Sequence, residues 1–207
     1  MPRNITIGDV DIEWLGHASF RFKADNKIIY VDPFKISGGE KADIILITHD
    51  HYDHCDPGSI NSVKKQDTLI IAPESCSSKI PDMRAVKPGD VVSVKDVEIK
   101  AVHAYNIGKP YHPKGNGVGF VVKIVGKTIY HAGDTDKIPE MDNLKNIDVA
   151  LLPAGGTYTM NAEEAAEAAN TIEPAVAIPM HWGKIVGSEQ DAAKFKDLCK
   201  VQVRVLD

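Results

Sequence analysis

Short β-branched runs separated by turn residues dominate the first half of the chain. Asp11 to Trp14, Ser19 to Lys23, Ile28 to Val31 and Ile44 to Thr48 read as strands of a meander, with Asp25-Asn26 marking one turn. After the segment THDHYDH, Asp56-Pro57 supplies an N-cap and a proline at the first helical position, which predicts a helix to about Lys65. Further strands are predicted over Thr68 to Ala72, Val91 to Lys95, Val97 to His103, Gly119 to Val125, Lys127 to His131, Asp148 to Leu152, Ala175 to Pro179 and Val201 to Val205. Val125-Gly126-Lys127 marks a hairpin turn. A helix opens at Asn161, where Glu164 has capping-box spacing ahead of AAEAAN, and Ser188 opens another through about Lys200. Asn106 to Gly119 forms a looser Gly/Pro-containing stretch, and Tyr111 to Gly117 within it has the composition of a flexible loop covering a substrate. Many strands with a few intervening helices imply a layered α/β domain.

Composition narrows the class of protein. A chain of 207 residues, 43% hydrophobic and 26% charged, predicts one globular domain over 1–207 with its own core. A formal charge of −5 provides no basic field for phosphate backbones, which weighs against nucleic acid as a partner. Three cysteines without C-x-x-C spacing suggest neither disulfides nor a cysteine zinc knuckle, so a reducing compartment fits. The N-terminus lacks the apolar run of a signal peptide, and no stretch is long and apolar enough to span a membrane. A cytoplasmic location is expected; homo-oligomerisation is left open.

The chemistry concentrates in THDHYDH, which places His49, His51, Asp53 and His54 directly after the apolar run Ile44 to Ile47. Alternate residues of an extended segment point the same way, so His49 and His51 can grip one ion. Asp53 and His54, past the bend, would face a second. Imidazole and carboxylate ligands suit zinc, with manganese, iron or nickel as alternatives. Each ion needs about three protein ligands. Three later residues at predicted strand ends complete the count: His103 in KAVHAYN, Asp134 in YHAGDTD and His181 in AIPMHWG.

With its T-H-D-H-Y-D-H, a following lone histidine, a G-D-T aspartate and a late P-M-H, the chain resembles the metallo-β-lactamase superfamily over almost its whole length. WLGHASF and Val31-Asp32-Pro33 narrow the resemblance to the branch of ascorbate-6-phosphate lactonase-like proteins and N-acyl-phosphatidylethanolamine phospholipase D. The resemblance implies a four-layer αβ/βα sandwich, with two mixed sheets and a dinuclear site in the groove between them. It implies His49, His51 and His103 on the first ion, Asp53, His54 and His181 on the second, and Asp134 as the bridge. Asp32 would support the ligand loop without ligating.

The activity implied is metal-dependent hydrolysis, in which hydroxide held by two divalent ions attacks an ester-type bond (lactone, phosphodiester or thioester) of a small substrate. Asp53 would orient that hydroxide. His17, in GHAS, could reach the groove as a catalytic group; a structural histidine is the alternative. His112 could bind an anionic substrate or donate a proton to the leaving group. Lys184, three residues after His181, could hold a substrate carboxylate or phosphate. A ribonuclease Z-like nuclease would add a projecting RNA-clamping arm, and no extra Gly/Pro/basic insertion of that kind is visible in the 207 residues. A non-catalytic metal-binding or sensor domain is the remaining alternative.

Overall fold

A computed structural model of the protein describes residues 3–207. The first sheet runs in sequence order: β1 (Asn4–Ile7), β2 (Val10–Gly16), β3 (Ser19–Ala24), β4 (Lys27–Val31), β5 (Ile44–Leu46), β6 (Leu69–Ala72) and β7 (Arg84–Ala85). The second holds β8 (Val91–Val94), β9 (Val97–Ala104), β10 (Gly117–Ile124), β11 (Lys127–His131), β12 (Val149–Pro153), β13 (Val176–Met180) and β14 (Gln202–Val203), ordered from β14 to β8 across the sheet. Helices α1 (Pro57–Val63), α2 (Ala162–Ile172) and α3 (Glu189–Leu198) complete the regular structure, besides two short 3-10 turns.

Each sheet is antiparallel in one part and parallel in the other, for local reasons. Three antiparallel pairs close on two-residue turns with both central residues at positive φ: Asp25-Asn26, Lys95-Asp96 and Val125-Gly126. That conformation matches the twist of the flanking strands. The parallel pairs β5–β6 and β12–β13 need longer crossovers, which α1 and α2 supply. β5, β12 and β13 are buried along their whole length, as strands covered on both faces must be.

Residue parity separates the layers. In the first sheet, Ile12, Phe20, Phe22, Ile29, Ile44 and Leu46 face the second sheet in the main core. The alternate residues Ile28, Tyr30, Ile45 and Ile70 face outward, where Ile60 and Val63 of α1 cover them. On the far side, the alanine-rich face of α2 packs against the second sheet, with Phe195 of α3 beside it. The result is the four-layer αβ/βα sandwich with two mixed sheets. Among the described residues no helix is long and apolar enough to cross a membrane.

The helix starts follow the caps read from the sequence. Asp56 accepts from the Gly58 amide, and Asn161 and Glu164 cap reciprocally at 2.9 Å. At α3 the Asp191 carboxylate instead takes both the amide and hydroxyl of Ser188. Asn161→Ala is expected to lower the unfolding free energy by about 1 kcal/mol, and Phe120→Ala at the inter-sheet core by about 3–5 kcal/mol. Urea unfolding checks both; equal losses would contradict the layer assignment.

Candidate metal centre

The loop carrying THDHYDH leaves the end of β5 and is anchored at its base by a buried aspartate. Asp32, fully buried just past β4, accepts from the Thr48 amide at 2.8 Å, the Thr48 hydroxyl at 2.6 Å and Nδ1 of His54 at 2.7 Å. Its own carbonyl accepts from the Ser19 hydroxyl. The loop then turns on itself: the amides of His54 and Cys55 both donate to the His51 carbonyl. This turn projects His49 and His51 on one arm and Asp53 and His54 on the other.

The second sheet supplies the opposing groups. Asp134 follows β11 after Gly133, whose φ is +65° and whose added Cβ would lie 2.9 Å from the Val118 carbonyl. Only glycine tolerates both. His181 follows β13; a Cβ on Gly155 would come within 2.1 Å of its carbonyl oxygen, so that glycine sets how deeply His181 can sit. The His181 amide donates to the His17 carbonyl at 2.9 Å, tying the β2–β3 turn of one sheet to the end of β13 in the other. His17, Asp32 and His181 all adopt left-handed φ, at 55°, 45° and 58°. Such non-glycine conformations are uncommon and persist where surrounding contacts over-determine them.

The donor atoms converge into three overlapping groups, each within 4.8 Å: His49, His51 and His112; His17, Asp53, His54 and His181; and His49, His54 and Asp134. Asp134 lies between the first two, with Oδ2 3.3 Å from His112 Nε2 and 3.0 Å from His181 Nε2, and Oδ1 3.5 Å from His54 Nε2. Its two oxygens thus face imidazoles from both groups.

One expected ligand is not there. His103 lines a different cavity, with Pro88, Tyr130 and Met141, and belongs to none of the three groups. β9 continues one residue beyond it, and Ala104 lines the small cleft beside His49, His112 and Asp134. Neighbouring strand residues point to opposite faces, so His103 cannot also do so. The third imidazole beside His49 and His51 is that of His112, nine positions later by sequence.

The segment carrying His112 is also anchored where flexibility was expected. Asn106 Oδ1 accepts from the His112 amide and stands 3.0 Å from its Nδ1, while Asn106 Nδ2 donates to Asp136 and to the Tyr158 carbonyl. Asp136 also receives the Ile107 amide and Lys109 Nζ. Sequence reasoning did not single out Asn106, Asp136 or Gly155. The dense run of Asn, Gly and Pro around them was the available signal.

The second nitrogen of each ring fixes what the first can do. Asn106 Oδ1 can only accept, so His112 Nδ1 carries the proton and Nε2 presents a lone pair. The Asp32 carboxylate fixes Nδ1 of His54 in the same way, and Thr48 Oγ1 lies 3.0 Å from Nδ1 of His49. Nε2 of His49, His54, His112 and His181 and Oδ1 of Asp134 are buried without a hydrogen-bond partner. Each such group costs about 1–3 kcal/mol when left unsatisfied. Their convergence, with the outer nitrogens of His49, His54 and His112 already held, fits divalent ions.

The electrostatics agree. Burial opposes ionisation of Asp134, but the neighbouring His181 and His54 outweigh it and hold the carboxyl well below the usual range. Burial also opposes charge on Asp53, yet the His17 hydrogen bond at 3.0 Å and nearby His54 bring it to about 2. His49 is pushed well below the ordinary imidazole value by burial. His54 goes the other way, because Asp134 and Asp32 overcome its burial.

A cavity of about 300 Å³ opens over the cluster, lined by His51, Asp53, His112, Asp134 and His181 and rimmed by Tyr52, Tyr111, Tyr158 and Ile185. Lys184 is exposed and lines a separate cavity of about 380 Å³ with Arg3, Trp14 and Trp182; His17 belongs to that wall as well.

Comparison with known proteins matches residues 11–181 to the family described as beta-lactamase superfamily domain. The chain is 36% identical over 220 residues to a metal-dependent hydrolase of Pyrococcus abyssi, covering 95% of each. A crystal structure assigned as a metal-dependent hydrolase from Parabacteroides distasonis superposes with a TM-score of 0.88 at 38% identity, covering 95% of this chain and 92% of that one. A metallo hydrolase from Ignicoccus hospitalis, at 24% identity and a TM-score of 0.77, shares the fold. The chain therefore belongs to the beta-lactamase superfamily and, within it, to the metal-dependent hydrolases.

Proposed function

We propose that the protein binds two divalent ions, zinc by ligand type with manganese, iron or nickel as alternatives, and hydrolyses an ester-type bond of a small substrate. His49, His51 and His112 would hold one ion, Asp53, His54 and His181 the other, with Asp134 between them. The observation carrying this reading is the set of buried, partnerless Nε2 atoms converging on the Asp134 carboxylate. His112 thereby takes the place first expected of His103. When bound, paired ions of this kind lower the pKa of water and neutralise charge developing on the substrate.

The chain's own residues do the rest. Asp53 Oδ2 is 3.0 Å from His17 Nε2, so His17 fixes the orientation of a carboxylate at the cavity floor. With its low pKa, Asp53 stays ionised across the neutral range and can accept a hydrogen bond that orients the attacking water. Hydrolysis places the water oxygen on the carbonyl or phosphorus centre, breaks the bond to the leaving oxygen or sulfur, and returns one proton to the departing group. Lys184, lining its separate cavity, is left out of this scheme.

Reconstituted protein should carry close to two ions per chain. His112→Ala should remove about one ion and lower kcat/KM by at least about 100-fold, whereas His103→Ala should leave both within experimental error. Elemental analysis beside kinetics decides; the reverse pattern sinks the assignment. Because Asp134 and Asp32 favour a proton on His54 that an ion must displace, affinity for zinc should fall as pH is lowered, by on the order of tenfold per pH unit for that proton. Competition against a chelator between pH 6 and 8 measures this, and a flat profile contradicts imidazole ligation.

A further inference from the structure

Every strongly exposed aromatic side chain among the described residues stands at one place. Tyr52, Tyr111 and Tyr158 are 66%, 43% and 38% exposed, and all three rim the cavity over the metal-holding side chains. They come from three separate segments. Tyr52 lies within the ligand loop and stacks edge-on against Phe34 at 5.9 Å; Tyr111 and Tyr158 from the second sheet's loops meet edge-on at 4.9 Å. Ile185 adds an aliphatic edge. Among the described residues no hydrogen bond engages the three hydroxyls, and the rings stand largely in solvent.

Apolar surface of this size is normally removed from water, and a cluster left open around a polar floor marks a binding surface. The lining contains no lysine or arginine. Arg3 and Lys184 line the separate cavity beside the stacked Trp14 and Trp182, Lys109 is paired with Asp136, and Lys35 lies over Phe34 without lining the cavity. A volume of about 300 Å³ is at the low end of the roughly 300–1,000 Å³ of ligand pockets, enough for one ring and a scissile group.

We propose that this rim selects substrates carrying one uncharged aromatic ring, or an apolar group of that size, next to the bond to be cleaved. The inference rests on the hydrolase reading and deepens it. The polar floor takes the ester or phosphoryl group; the tyrosines take the ring by edge and face contacts.

Calorimetry on the metal-loaded protein with phenylphosphonate and methylphosphonate tests the pocket directly, since the two share a headgroup and differ only in the ring. Phenylphosphonate should bind at least about tenfold tighter. That preference should fall below threefold, roughly, in Tyr111→Ala/Tyr158→Ala and persist in Tyr158→Phe, where the ring remains. Should the double variant lose metal, Tyr158→Ala alone carries the comparison, because it lies outside the ligand-bearing loops. Equal binding of the two phosphonates, or a preference that survives ring removal with metal retained, overturns the proposal. Turnover of p-nitrophenyl phenylphosphonate is followed in parallel. Selective binding with no turnover of this or other esters overturns the hydrolase reading and leaves the ring-binding rim standing; turnover without selectivity does the opposite.

Discussion

The structure depends on a buried carboxylate at the end of one strand. Asp32 gathers the Thr48 amide, the Thr48 hydroxyl and the His54 ring, so β4, the exit of β5 and the turn of the ligand loop are fixed by one group. A carboxylate with no exposure requires such partners, because an unpaired buried charge would cost several kcal/mol. The partners in turn cannot rearrange without stranding it. That mutual requirement makes the His49 to His54 loop rigid before any ion arrives, and a preorganised ligand set is what tight, geometrically selective metal binding needs.

The second constraint joins the sheets. The His181 amide reaches the His17 carbonyl, and His131 Nε2 donates to the Ala18 carbonyl at 2.9 Å, so two short bonds cross the groove mouth. Both anchor on the β2–β3 turn. The turn therefore sets the separation between the sheets where the ligands meet, while the apolar core sets it elsewhere. The residues flanking the site take left-handed backbone angles at this seam, and the hydrogen bonds there stabilise conformations the chain would not adopt alone.

Much of this was legible in the sequence because it is local. The alternation in Ser19 to Lys23, the two-residue turn Asp25-Asn26 and the caps Asp56 and Asn161 each act over a few residues, and the strands and helices formed within a residue or two of those signals. Edge pieces were harder: β1 is half-exposed and β7 has two residues, too little for periodicity to register. His103 misled for a subtler reason. A histidine at a strand end resembles a ligand in one dimension, but whether it faces the groove depends on where β9 stops. One further residue, Ala104, moved the groove-facing position past it. His112 was seen as a chemical group without being placed, since its position depends on Asn106 and Asp136 clamping an irregular segment.

The absence of lysine and arginine from the cavity over the cluster follows from the charges beneath it. Asp32, Asp53 and Asp134 are the carboxylates held in or against the donor set, and the histidines add none when neutral. Two divalent ions would more than balance those three negative charges, leaving the floor net positive without a basic side chain. A developing negative charge on a substrate carbonyl or phosphoryl oxygen would then be met by the floor itself. The rim is released from that duty, and its residues can be selected for shape and apolar contact. On the proposed two-ion reading, this division accords with Lys184 lying along the neighbouring cavity and tyrosines occupying the entrance.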